Sequence, residues 1–104
     1  MKDIFFGTEL ELELYLQPMG GLTSDDYDFV VEVYCFPKRT VTYTKSELTR
    51  KDSDRWGFIL DTAEIGVGPV NIKVTAQIPN AMCKDGYRKE VAYLMGVYNI
   101  ERGA

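Results

Sequence analysis

The chain has 104 residues, 45% of them hydrophobic and 12% aromatic, and a net charge of -4 from 16 acidic and 12 basic side chains. That length holds one domain with a single core, and the apolar content belongs to a folded chain rather than a disordered one. The acidic balance speaks against nucleic acid as a partner: phosphate neutralisation needs a clustered basic surface, and the longest basic runs are pairs such as Lys38-Arg39 and Arg50-Lys51.

The N-terminal stretch MKDIFFGTELELEL has no apolar run of signal-peptide length ahead of its acids, and nothing approaches the roughly 20 apolar residues of a membrane helix. The expectation is a chain made and kept in the cytoplasm, with no membrane partner, unless it leaves inside a larger assembly. Residues 1–104 form a single domain in this reading, with 1–7 a loosely ordered arm and 101–104 a tail.

Residues 8–16 alternate strictly, with Leu10, Leu12, Leu14 and Leu16 on one face and Glu9, Glu11, Glu13 and Tyr15 on the other. Leucine and glutamate both favour helix, but period two would scatter the leucines around a helix, so a strand is predicted. The glutamate row faces water and guards an edge against pairing with another chain. Gln17 to Asp26 is turn-rich: Pro18, Gly20 and Gly21 break the pattern, and Ser24, Asp25 and Asp26 favour local hydrogen bonds. Tyr27 to Phe36 is apolar on nearly both faces, as a central strand should be, with Glu32 and Tyr34 outward. A turn at Pro37-Lys38-Arg39 joins it in a hairpin to the β-branched strand Thr40–Thr44.

Lys45 to Asp54 is a charged connection in which Ser46 can cap a single turn. Its Asp52-Ser53-Asp54 has the spacing that opens a calcium loop, but the glycine and the terminal glutamate of such a loop are missing. The segment Arg55 to Pro79 organises the rest. Trp56, Phe58 and Leu60 alternate with Arg55, Gly57, Ile59 and Asp61; Thr62 can cap a helical turn over Ala63-Glu64-Ile65, and Gly66 can close it. Val70, Ile72, Val74, Ala76 and Ile78 then give the cleanest alternation in the chain. A helical turn linking strands that cross between sheets is the corner of an immunoglobulin-like sandwich. Asp85-Gly86 supplies the next turn, and Arg88 to Ile100 is the last strand run, with Gly96 a bulge or bend that would split it.

The fold predicted is therefore all-β: an immunoglobulin-like antiparallel sandwich of six or seven strands with one short helical turn at the 61–66 corner. Its core comprises Leu10, Leu12, Leu14, Phe29, Val31, Val33, Trp56, Phe58, Leu60, Val70, Ile72, Val74, Ala76, Ile78 and Val91.

Chemistry-bearing motifs are absent. There is no histidine, the commonest general base and metal ligand. Cys35 and Cys83, a strand filler and a loop residue, are a poor geometric match for a disulfide and cannot make a zinc site. Gly66-Val67-Gly68 precedes a strand and is followed by Pro69, the reverse of a phosphate loop. Three glutamates on one strand face lack the turning loop of a hard-cation site. Tyr27, Tyr34, Tyr43, Tyr87, Tyr93 and Tyr98, with Trp56, offer aromatic surface wherever they are exposed. No catalytic, cofactor-binding or metal-binding residue is assigned, and the chain is not expected to be an enzyme.

Function enters through a resemblance. The strand ending at Phe36, then Lys45-Ser46-Glu47-Leu48, Asp54-Arg55-Trp56, the corner from Leu60-Asp61-Thr62 to Gly66-Val67-Gly68, and Ile78-Pro79-Asn80 with Asp85-Gly86-Tyr87-Arg88-Lys89-Glu90-Val91 form a recognisable series. It resembles small β-sandwich modules of prophages and mobile elements of Bacteroides-type gut bacteria, found at the start of tail-fibre or baseplate proteins. The similarity covers residues 27–100. No catalytic or ligand residue is carried over from that family. In it a long fibrous or coiled section usually follows the module, whereas this sequence ends at Ala104. The resemblance implies a non-enzymatic structural or adaptor module of a phage-like assembly, without cofactors. It works through protein–protein contacts with itself or with other phage structural proteins, at strand edges such as 8–16 and the C-terminal segment. A carbohydrate- or cell-surface-binding sandwich using tyrosines and acidic loops is the alternative, and a small hydrolase with convergent carboxylates a third.

Trp56→Ala is expected to cost about 3–5 kcal/mol in urea denaturation, as removal of a core aromatic should; a shift well below that would place Trp56 on the surface.

Overall fold

The computed structural model describes residues 2–18, 21–35 and 39–102. The alternating segments become strands in chain order: β1 (Lys2–Phe5), β2 (Glu9–Tyr15), β3 (Asp28–Cys35), β4 (Thr40–Thr44), β5 (Thr49–Arg50), β6 (Arg55–Asp61), β7 (Gly68–Pro79) and β8 (Tyr87–Glu101). Two single 3-10 turns, Lys45–Glu47 and Thr62–Glu64, are the helical content among the described residues. One sheet has the order β1-β8-β7-β3-β4, the other β2-β6-β5. The protein is all-β, and its two sheets pack in a sandwich-like arrangement.

Register explains the packing. Leu10, Leu12 and Leu14 of β2 stand opposite Leu60, Phe58 and Trp56 of β6. Phe29, Val31, Val33 and Cys35 of β3 stand opposite Ala76, Val74, Ile72 and Val70 of β7. Directly opposed residues share a face, so each sheet gains one apolar face, and the two meet in a single core. Phe29 meets Trp56 edge-to-face at 5.3 Å between ring centroids, and Tyr43 meets Phe58 at 4.8 Å. The expected core residues are buried with two exceptions: Leu10 is half-buried, and Val91 is 41% exposed. Tyr27, Cys35, Leu48, Ile65 and Ile100 complete the core.

A polar cluster pins the loop between β2 and β3 to this core. The Trp56 Nε1–H donates to the Ser24 hydroxyl at 2.7 Å, and Ser24 in turn donates to the Ser53 carbonyl. The Lys45 ammonium donates to the carbonyls of Ser24 (2.7 Å), Tyr27 (2.8 Å) and Asp25 (3.3 Å). It sits 5.5 Å from the Trp56 ring centroid and 5.8 Å from that of Phe29, which adds cation–π attraction. An ammonium has three donors, and all three are used.

Several local expectations change. Residues 2–5 are not an arm: β1 pairs in parallel with β8, Lys2 opposite Tyr98 and Phe5 opposite Glu101. The first sheet is therefore mixed rather than antiparallel, and with two-residue β5 it brings the strands among the described residues to eight. Asp61, not Thr62, caps the corner turn, accepting from the Ala63 N–H at 3.0 Å. Thr62 is buried, its hydroxyl donating to the Thr8 carbonyl and accepting from the Gly7 N–H. Thr44, not Ser46, precedes the other turn, and its N–H donates to Glu47 Oε1 at 2.9 Å. Gly66 closes the corner at φ 93°, as expected. The turn expected at Pro37-Lys38-Arg39 and the contribution of Gly20 lie outside the described residues, Arg39 excepted.

Gly96 does not split the last strand. Val70 faces Tyr98 and Ile72 faces Leu94, so Met95, Gly96 and Val97 together stand opposite Asn71. Gly96 takes φ 62° in this bulge and donates its N–H to Asn71 Oδ1 at 2.9 Å. β8 continues through it for 15 residues, about 50 Å at the usual rise, and so sets the long dimension of a 54 × 27 × 22 Å molecule.

Ser24→Ala leaves the Trp56 N–H buried without its acceptor and is expected to cost about 1–3 kcal/mol in urea denaturation. In a Trp56→Phe background, where that donor is gone, the same change should cost clearly less; equal costs in both would show that the bond contributes nothing.

Candidate functional site

Several side chains that could do chemistry are occupied structurally. Cys35 and Cys83 are both free, as expected. Cys35 is buried with its Sγ against the Gly66 and Gly68 carbonyls, and burial pushes its thiol pKa up, away from a reactive thiolate. Asp52 Oδ1 accepts from the Asp54 and Arg55 N–H groups at 2.9 Å, and Oδ2 takes the Arg55 guanidinium at 2.7 Å. Those oxygens fold the loop on itself. No group of three or more potential metal ligands occurs among the described residues.

The carboxylates whose pKa departs clearly from ordinary all move downward. The bidentate Arg50 guanidinium, with both bonds at 2.9 Å, lowers Asp25. Thr44 lowers Glu47, and Arg55 lowers Asp52. A general acid working near neutral pH needs the opposite shift.

Glu9, Glu11 and Glu13 line the exposed face of β2 as expected, with Arg55 3.8 Å from Glu13. The tyrosines divide. Tyr27 is buried, Tyr43 and Tyr98 pack on the core, and Tyr15, Tyr87 and Tyr93 are exposed. Trp56 is core.

What remains is surface. β8 carries more exposed large apolar side chains than any other strand: Tyr87, Val91, Tyr93 (56% exposed), Leu94 (50%) and Met95 (66%). Two features produce this. β1 pairs only with Tyr98–Glu101, so the edge of β8 from Tyr87 to the bulge has no neighbour among the described residues. A three-stranded sheet also faces a five-stranded one, leaving Ala92 and Leu94 uncovered although they lie on the core side, opposite Val74 and Ile72. A second, smaller apolar patch is formed by Phe6, Val67 and Ala63, beside Arg39 and Arg102.

An open strand edge is a template for another strand. The two edges named from sequence differ in what they admit. β2 carries glutamates at every second position, so a second β2 laid antiparallel in central register places carboxylate against carboxylate, which is unfavourable. β8 between Val91 and Met95 carries no charge. Val91 thus moves from expected core to exposed surface: it stands opposite Thr75, on the outer face of β8, one residue off the side that Ala92 and Leu94 share with Val74 and Ile72.

No protein-family model matches the chain, and neither a curated protein nor a solved structure matches it. No helix among the described residues is long and apolar enough to cross a membrane.

Because Asp25 and Asp52 have lowered pKa values in the fold, their ion pairs stabilise it above the ordinary carboxylate pKa of 3.8 and lose that effect as pH falls through the lowered values. Asp25→Asn should therefore flatten the dependence of the urea midpoint on pH below about 4 while leaving the profile from pH 6 to 8 unchanged; an unchanged acid limb would remove the Asp25–Arg50 pair from the account.

Proposed function

We propose that this chain is a non-enzymatic structural or adaptor module of a phage-like assembly, an immunoglobulin-like sandwich acting through protein–protein contacts at its strand edges. The observation that carries the contact role is β8, a strand of 15 residues whose edge from Tyr87 to the bulge has no partner among the described residues and which bears a run of exposed apolar side chains. Monomeric proteins blunt such edges with charge, proline or short length, and this stretch uses none of these from Val91 to Met95.

Strand order supports the immunoglobulin-like reading. β2, β6 and β5 take the places of strands B, E and D, and β8, β7, β3 and β4 those of G, F, C and C′ in a variable-type domain. β1 lies beside β8, so the place next to β2 that strand A takes in an ABED sheet is empty among the described residues. Two departures stand beside this. The core tryptophan is on β6, in the place of strand E rather than C, and Cys35 is a free thiol in the place of strand C.

The phage-like setting rests on the resemblance of residues 27–100. The carbohydrate-binding alternative has less behind it: Tyr87 and Tyr93 are six residues apart along β8, about 20 Å, too far to stack on one sugar ring. The Lys73 ammonium already lies 5.8 Å from the Tyr93 ring.

The test is location. In cells that encode it, the chain should co-sediment with particle fractions at fixed stoichiometry after prophage induction, detected by immunoblot. Recovery only in the supernatant overturns the structural role.

A further inference from the structure

We propose that the free edge of β8 pairs with the same edge of a second copy, antiparallel across a two-fold axis at Val91, joining two five-stranded sheets into one of ten strands. The inference deepens the contact role assigned to β8 and names the partner. Geometry sets the limits of the pairing. β1 occupies the β8 edge from Tyr98 onward, and the bulge takes Met95, Gly96 and Val97 out of regular register. The regular free stretch is therefore Tyr87 to Met95, and its midpoint is Val91.

Charge rules out the three centres before it. In an antiparallel pairing of identical strands, residues equidistant from the axis stand opposite each other. An axis at Arg88, Lys89 or Glu90 would set that residue's charge against its own copy. With the axis at Val91, valine meets valine, Lys89 meets Tyr93, Glu90 meets Ala92, Arg88 meets Leu94 and Tyr87 meets Met95. No like charges are opposed. Arg88 and Glu90 already form an ion pair within their own strand, so neither needs a partner across the axis. The β2 edge, with its glutamate row, offers no such solution in central register. A nine-residue pairing runs about 30 Å and gives the free backbone edge of β8 hydrogen-bond partners.

The test uses cysteine pairing in a Cys83→Ser background with the full chain. Opposed residues in an antiparallel pair have Cα atoms about 4.5–5.5 Å apart, within disulfide range. Val91→Cys should therefore form a covalent dimer under mild oxidation. Tyr93→Cys alone should not, while a mixture of Tyr93→Cys and Lys89→Cys chains should. Light scattering of the unmodified chain should give a dimer at high concentration. Val91→Lys, at an exposed position that leaves the core intact, should weaken the dimer at least roughly tenfold, with circular dichroism unchanged. A monomeric mass at every concentration, or crosslinking by Tyr93→Cys alone equal to that of Val91→Cys, overturns the proposal. A monomer that co-sediments with particles defeats this inference and not the structural role; a dimer confined to the supernatant does the reverse.

Discussion

The Trp56 side chain ties the two sheets and their longest loop into one object. Its ring meets Phe29 across the sandwich, and its N–H is held by Ser24. The Lys45 ammonium closes the arrangement over both rings. Burying an indole without an acceptor would cost free energy, and so would burying the carbonyls of the Ser24–Tyr27 loop without donors. Here the Ser24 hydroxyl meets the first need and the Lys45 ammonium the second. Arg50 and Asp25 repeat the connection at the rim, where exposure to solvent makes such a pair weak. The interior pin sets the loop in place, and the rim pair follows it.

With the sheets fixed face to face, their unequal widths become the next constraint. Three strands cannot cover five, and the uncovered part falls at β8. The same strand then has an apolar run on the core side that meets solvent and an edge that β1 covers only over its last residues. Exposure there follows from topology rather than from the composition of the strand, whose leucine and alanine would be ordinary interior residues under a wider second sheet. The bulge at Gly96 adds to this, because it marks where the paired end of β8 stops and the free stretch begins.

Alternation in β2, β3, β6 and β7 reported the buried faces correctly because both conditions of such a reading hold there: period two, and a covering sheet. β8 satisfies the first and not the second: Ala92 and Leu94 lie uncovered on the core side, and Val91, expected in the core, stands opposite Thr75 on the outer face of a stretch that is apolar on both faces. Coverage depends on how many strands the opposite sheet has, a property no single segment encodes. β1 was missed because four residues carry no usable period and its partner lies at the far end of the chain. Asp61 and Thr62 are both capable caps, and the choice between them was made by Thr8 and Gly7, more than fifty residues away in sequence. Lys45 looked like part of a solvated loop; its role depends on carbonyls that only the folded loop brings together. Both edges of the candidate surface were named from sequence, but the difference between an acidic edge that sets carboxylate against carboxylate and an apolar one that does not needed the pairing register.

The parallel pairing of β1 with β8 has a mechanical consequence. The strands run in the same direction, Lys2 beside Tyr98 and Phe5 beside Glu101, and the Phe6 N–H adds a further bond to the Glu101 carbonyl at 2.6 Å. Tension drawn through the leading end of β1 and the trailing end of β8 slides the two strands along each other in opposite directions. Every bond between them is then loaded in shear at once and they must break together, whereas an antiparallel hairpin pulled at its open end unzips one bond at a time. Rupture under load is governed by the unfolding rate rather than by equilibrium stability, so this short strand makes the fold a tie rod along its longest axis, stiffer in that direction than its few bonds suggest.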